Sequence, residues 1–291
     1  MDAAHPVPTD PEQARVVDER LRRLVSLPDD EIDLAEAALL VATHQYPELD
    51  IPANLARIAA MSRELESRIG PQAPVTERIA ALNQYLFEEL GFGPNAENYY
   101  DPRNSCLNDV IERRLGIPIT LSLLYIEVGR RIGLPLQGVS FPGHFLVKCA
   151  VEDGAIILDP YAAGASLGMA DLQNRLREFR GGEVSRAIVS SLLVAAEKRE
   201  IILRLLRNLK AIYLRAQQLT LALPIMDWIV MVAPEQVPEL RDRGMIYQEL
   251  DCFRAAITDF QRYLELFPNC DDAEDIRTRM VELERSAARL N

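Results

Sequence analysis

The residues of this chain that could do covalent or proton-transfer chemistry are few and scattered. There are four cysteines, Cys106, Cys149, Cys252 and Cys270, and three histidines, His5, His44 and His144. A thiol beside an imidazole is the simplest route to a nucleophile, with the ring as base. Cys106 stands at the start of an expected helix, a setting that can activate a thiol. Cys149 has the strand parity of Phe145 and Val147, opposite to His144, and reads as a small buried hydrophobe. Cys252 and Cys270 fall in the C-terminal helices and read as packing residues. No CxxC pair or His cluster suggests a metal, and no cofactor motif is present: no GxGxxG after a strand, P-loop, HExxH, EF-hand loop or GxSxG. The expectation is therefore no metal and no cofactor.

The elements that position these residues can be read along the chain. Residues 1–10 read as a disordered start. Residues 11–93 form a helical N-terminal region. Its helices are expected at Pro11 to Leu27, from Asp29-Asp30-Glu31 to a stop at Pro47, at Pro52 to Arg68, and at Thr76 to Leu90. Residues 94–188 contain two further helices, about Ser105 to Leu115, capped by Asn104 or Ser105, and about Ile119 to Ile132. Each ends in Arg-Arg-x-Gly-x-Pro. There the arginines offset the helix dipole, Gly116 and Gly133 supply a left-handed cap, and Pro118 and Pro135 prevent continuation; an anion site is the competing reading. The period then changes from 3.6 to 2. Strands are expected at Leu136 to Phe141, Phe145 to Val151 and Ala155 to Leu158, with a turn at Glu152-Asp153-Gly154 and the sheet ending at Asp159-Pro160. A hairpin centred near Asp153 brings Asp159 within a residue or two of register with His144. A short helix follows at Met169 to Phe179.

Residues 189–291 read as helical from about Val189 to the end, with a last helix from Asp271 to Leu290. Pro234 and Pro268, Ala222 and Ala256, Tyr213 and Tyr247, and Leu206 and Leu240 are each 34 residues apart. That period, with Gly244, Tyr247, Ala256, Phe260 and Pro268 in order, resembles the tetratricopeptide repeat. The first repeat departs from it, with Lys210 in place of Gly and Met226 in place of an aromatic. Two repeats need neighbours to bury their faces, so one continuous body is expected.

The run from Asp101 to Lys148, within Tyr99 to Tyr161, resembles the transglutaminase-like core of the bacterial SirB family. The resemblance extends over most of the chain, the helical front and repeat tail included. It implies an α+β fold, mostly helical, with a cysteine-protease-like core that carries a small antiparallel sheet and a repeat-type helical array behind it. It also implies a Cys, His and Asp triad. The His position matches His144 in Pro-Gly-His-Phe, and the Asp position matches Asp159 in Leu-Asp-Pro. Counting back from Ile132-Gly133-Leu134-Pro135 sets the nucleophile position at Pro118, which has no nucleophile. Neighbouring Thr120 and Ser122 offer only hydroxyls. At Cys106 similar proteins usually carry an aromatic residue, so a required nucleophile there is not implied.

Three roles are open for a His144–Asp159 pair without a thiol: holding the sheet, binding a ligand, or acid/base chemistry on a substrate that brings its own nucleophile. The turn-rich segment before the Pro118 helix offers Arg103, Asn104 and Asn108 as ligand contacts, or as turns and caps. Pro118, Thr120 and Glu127 complete the candidate binding set. Glu127, within an apolar stretch, has Arg113, Arg130 and Arg131 as possible partners.

The leading expectation is a non-catalytic protein-binding or regulatory protein, with the repeats holding a protein or peptide partner. The alternative is a cysteine-dependent amidohydrolase or acyltransferase that uses His144, Asp159 and an atypical thiol such as Cys106. A weaker third is an adaptor that uses only the tail. With 32 Lys and Arg against 44 Asp and Glu, net charge is -12, which disfavours nucleic acid and anionic membranes as partners. Apolar runs are too short to span a bilayer, the N-terminus is not a signal peptide, and unpaired cysteines fit the cytoplasm.

Overall fold

The computed structural model describes residues 11–289, so the expectation for residues 1–10 lies outside the described residues. By internal contacts the chain divides into two compact units, Met1–Leu205 and Leu206–Asn291. The front helices and the sheet-bearing core share the first unit.

The first unit opens with α1 (Pro11–Val25), α2 (Leu34–Ala42), α3 (Ile51–Glu66) and α4 (Val75–Asn83). Asp33 and Asp50 cap α2 and α3, accepting from Glu36 N and Ala53 N at 2.9 Å each. Asp29-Asp30-Glu31, expected to open the second helix, instead forms a separate 3₁₀ turn. Its Asp29 carboxylate accepts from Lys198 N at 2.9 Å and Arg199 N at 3.1 Å, at the start of a helix far along the chain. Any exposed N-terminus attracts an acid, and only the fold decides which helix receives it.

After α4 the chain widens into π-type turns over Gln84–Glu89. A two-residue strand β1 (Gly93–Pro94) precedes a 3₁₀ turn (Pro102–Ser105) and α5 (Leu107–Arg113); β2 (Leu115–Gly116) then pairs parallel with β1. Cys106, not Asn104 or Ser105, occupies the cap of α5, without a side-chain bond. The left-handed residue that ends α5 is Arg114, with φ 60°, not Gly116. Gly116 meets a different demand: a Cβ there would lie 2.9 Å from Thr120 Oγ1 and 3.0 Å from Leu121 Cγ. At the next helix, α6 (Pro118–Arg131), Gly133 does take the left-handed turn, with φ 83°. Residues 118–129 of α6 are all buried, because α2, α3 and the sheet pack around it.

The sheet is antiparallel in the order β3 (Leu136–Val139), β4 (Leu146–Val151), β5 (Gly154–Asp159), β6 (Ala165–Leu167). It does not end at Asp159-Pro160. A 3₁₀ turn over Pro160–Ala162 and left-handed Ala163 and Gly164 return the chain, and β6 pairs Ala165 with Asp159. Val139, Leu146 and Ile157 face α7 (Met169–Arg180) and α8 (Arg186–Ser191) in a core with Leu172, Leu176 and Val189. Val147, Cys149 and Leu158, of opposite parity, are buried on the other side. Helix is not continuous from Val189. Residues 192–197 are irregular, and Ala196 N donates to Gly138 O at 2.8 Å before α9 (Lys198–Arg215) begins.

The second unit continues α9 through α10 (Leu219–Val232), α11 (Val237–Glu249), α12 (Phe253–Leu266) and α13 (Ala273–Arg289). Pro234 and Pro268 follow the ends of α10 and α12, where the residue before proline avoids helical backbone. Ala256, Phe260 and Tyr263 form the core with Leu240, Ile276 and Leu283. A Cβ at Gly244 would lie 2.6 Å from the Phe260 ring, so the repeat's small residue is what lets α11 approach α12.

Candidate functional site

His144 is held by a short turn and two anchors. Gly143, at φ 69°, lets His144 N donate back to Phe141 O at 3.0 Å. Phe141 and Phe145 are fully buried on either side. Arg204 of α9 clamps the turn from outside: its guanidinium donates to Ser140 Oγ at 2.7 Å, Phe141 O at 3.3 Å and His144 O at 2.7 Å.

Asp159 ends β5. The β4–β5 ladder pairs Val147 with Leu158, so Asp159 lies one step past the ladder's end, two residues out of register with His144. The side chains meet diagonally: His144 Nε2 and Asp159 Oδ1 are 2.8 Å apart. The same oxygen accepts from Tyr161 N at 3.1 Å, while Oδ2 accepts from Arg175 of α7 at 2.6 Å. Asp159 is 1% exposed. Burial raises its pKa, but the His144 bond and the charges of His144 and Arg175 outweigh burial and hold it below the usual value.

The tautomer follows. A carboxylate only accepts, so Nε2 donates, and in the neutral ring the lone pair sits on Nδ1. Nδ1 makes no hydrogen bond to the described residues. The ring packs edge-on against Tyr161, centroids 5.7 Å apart, and 16% of the side chain is exposed. An oriented, partly open imidazole can accept a proton or a hydrogen bond; covalent catalysis needs a nucleophile as well.

Among the described residues no cysteine sulfur is hydrogen-bonded to the His144 ring. Pro118 occupies the first position of α6 and is buried. Thr120 Oγ1 accepts from Ile117 N at 3.1 Å and donates to Asn104 O at 2.8 Å; Ser122 Oγ points to Phe145 O at 3.4 Å. Both hydroxyls are fully buried and committed to carbonyls. The Cys106 Sγ faces Gln45 Oε1 at 3.7 Å. Burial, then the negative charges of Asp109 and Asp101, push that thiol well above its usual pKa, the reverse of what a nucleophile needs. Cys149 is raised by burial too. His144 is not among the groups acting on either sulfur.

The remaining candidates frame the first unit. Asn104, fully buried, donates to Asn98 O at 2.8 Å and Tyr99 O at 3.2 Å, accepts from Asn95 Nδ2 at 2.9 Å, and ties this loop to Thr120. Arg103 and Arg113 both pair with Asp101, at 2.8 and 3.4 Å. Asn108 Oδ1 is buried without a partner, as are Ser105 Oγ and Asp109 Oδ2. Glu127 pairs with Arg131 at 2.7 Å; Arg130 instead donates to Leu136 O at 2.8 Å. Sequence reasoning did not single out Arg175, Arg204 or Tyr161. Arg175 and Arg204 carry no local signal, being charges on amphipathic helices. Tyr161 stands two residues after Asp159 and was within reach of it. Among the described residues no group of three or more His, Cys, Asp or Glu could hold a metal ion, and no helix is long and apolar enough to cross a membrane.

Comparison with known proteins agrees with this architecture. The transglutaminase-like superfamily matches residues 53–207, and the tetratricopeptide repeat matches residues 209–281. A UPF0162 protein of Xylella fastidiosa is 40% identical over 89% of this chain and 93% of its own length. One of Vibrio cholerae is 32% identical over 89% of this chain and 95% of its own. UPF0162 protein YchA of Escherichia coli is 27% identical over 89% and 96%. These relatives carry the name UPF0162 and not SirB. No solved structure gives a significant match.

Proposed function

Because the chain belongs to the transglutaminase-like superfamily and to the family of the UPF0162 proteins, we propose that it is a non-catalytic binding or regulatory protein built on a core whose nucleophile is lost. One observation carries this reading. His144 and Asp159 meet as an oriented pair, yet the position to which the resemblance assigns the thiol is Pro118, and Cys106 and Cys149 are buried, with thiols that burial pushes up in pKa and that form no hydrogen bond to His144. What the pair retains is an oriented ring whose Nδ1 has no hydrogen-bond partner among the described residues. The repeats supply a second surface for a protein or peptide partner, a use to which such repeats are commonly put. The SirB-like reading of the core rests on the Tyr99 to Tyr161 run, and a cytoplasmic setting is supported by four unpaired cysteines.

A thiol-directed reagent at neutral pH tests the reading. Cys252 is exposed, while Cys106, Cys149 and Cys270 are buried, so labelling should be confined to Cys252 in the folded protein. Selective modification of Cys106 that disappears in His144→Ala would overturn the proposal and favour the cysteine-dependent hydrolase.

A further inference from the structure

We propose that the ligand of the His144 region carries a carboxylate, and that Arg204 receives it. This deepens the binding reading and rests on it. Arg103, Arg113, Arg131 and Arg175, all in the same unit, each lie against a carboxylate. Arg204 does not. Its bonds go to the Ser140 hydroxyl and the carbonyls of Phe141 and His144, and its guanidinium lies 5.5 Å from the centre of the Phe145 ring. These are neutral partners, and no carboxylate among the described residues pairs with it. Burial makes the charge harder to hold, opposite to Arg103, where the Asp101 bond makes it easier. A half-buried cation without an anion is costly, and a ligand that brings the anion recovers part of that cost. The bond from Arg204 to Ser140 is exposed, so the group can be reached from solvent.

The surroundings indicate what the carboxylate is attached to. Tyr99 lies within electrostatic reach of both Arg204 and Tyr161, and Tyr161 packs on the His144 ring. The phenol hydroxyls of Tyr99 and Tyr161 make no hydrogen bond to the described residues, leaving two donors that suit an anion. Tyr99 and Tyr100 are 39% and 54% exposed with their rings 5.3 Å apart, and Phe179, 60% exposed, covers Gly143. These exposed rings offer faces for an apolar body. One uncompensated guanidinium matches one negative charge, because Asp159 is already neutralised by Arg175. The ligand class is thus a monoanionic carboxylate on an apolar or aromatic body.

Titration calorimetry on the full chain with N-acetyl-phenylalanine and its primary amide tests this. The acid should bind about tenfold or more tightly than the amide. Arg204→Gln should weaken the acid about tenfold and leave the amide unchanged. Because Arg204 also holds the Ser140–His144 turn, Tyr99→Phe provides a second readout: it removes one exposed hydroxyl and should weaken the acid by roughly threefold, with the unfolding midpoint unchanged. Equal binding of acid and amide overturns the inference, as does no heat from the acid at about 10 mM. Displacement of the acid by a lower concentration of inorganic phosphate would also overturn the carboxylate assignment. None of these outcomes alters the cysteine-labelling result, so this inference and the binding reading fail separately.

Discussion

The helical repeats and the sheet-bearing core handle positive charge in opposite ways. In the repeats Arg207 meets Glu239 at 3.0 Å, Lys210 meets Glu239 and Asp242 at 2.6 and 2.7 Å, and Arg241 meets Asp272 at 3.0 Å. Arg243 meets Asp227 and Asp259 at 2.9 and 2.7 Å. Each of these four cations meets an anion from outside its own helix. In the core the carboxylate of Asp159 gathers Arg175 and His144, while Arg204 beside them has none. Arg78, Arg130 and Arg199 of the same unit also meet only carbonyls, so it is the place beside His144, and not the missing anion alone, that sets Arg204 apart. Under the carboxylate proposal, the contrast separates cations matched within the repeats from one beside His144 that a ligand's anion completes.

The largest expected effect comes from removing the shared anion. Asp159→Ala leaves Arg175 facing a buried vacancy and frees the His144 ring, and should destabilise the first unit by about 3 kcal/mol in denaturant unfolding. A loss under about 1 kcal/mol would show that the pair is not a structural tie. The next test sets the two kinds of arginine against each other. Arg243→Ala strands the buried carboxylate of Asp259 and should cost about 2 kcal/mol, whereas Arg204→Met strands no charge and should cost about 1 kcal/mol or less. Equal costs would erase the contrast. The smallest effect is on pH. Asp159 and Asp242 are held below the usual carboxylate value, and Asp272 is brought down to about 2, chiefly by the hydroxyl of Tyr263 with Arg241 adding to it. Folded carboxylates with lowered pKa contribute stability that is complete above the unfolded value, about 4, and is lost as pH falls through the folded values. Stability should thus fall from about pH 4 to 2, and Asp159→Asn should make that fall shallower. An unchanged slope would remove Asp159 from the acid-labile set.

How much of this was legible beforehand depends on the range of the interaction. Helix α6 and the β4–β5 hairpin follow from periodicity and turn residues a few positions apart, and the repeats follow from spacing in the sequence. The short strand β6 was missed because three residues, Ala165–Leu167, carry no pattern of their own and pair only because Ala163 and Gly164 turn the chain back. Gly116 was read as a left-handed cap because glycine usually serves there; packing against Thr120 was the actual demand, and Arg114 took the strained position.

The sequence by itself determined the helical class, the small antiparallel sheet, the repeat period and the approach of His144 to Asp159, since all of these rest on local propensity or on one tight hairpin. Only the tertiary structure decided that Arg175 of α7 neutralises Asp159, that Asp29 caps α9, that Cys106 is buried against Gln45, and that Arg204 stands beside His144 without a carboxylate. The physical reason is that charge and hydrogen-bond pairing act across space over a few ångströms, whatever the separation along the chain. An arginine on an amphipathic helix looks the same in sequence whether its destination holds a carboxylate or a carbonyl.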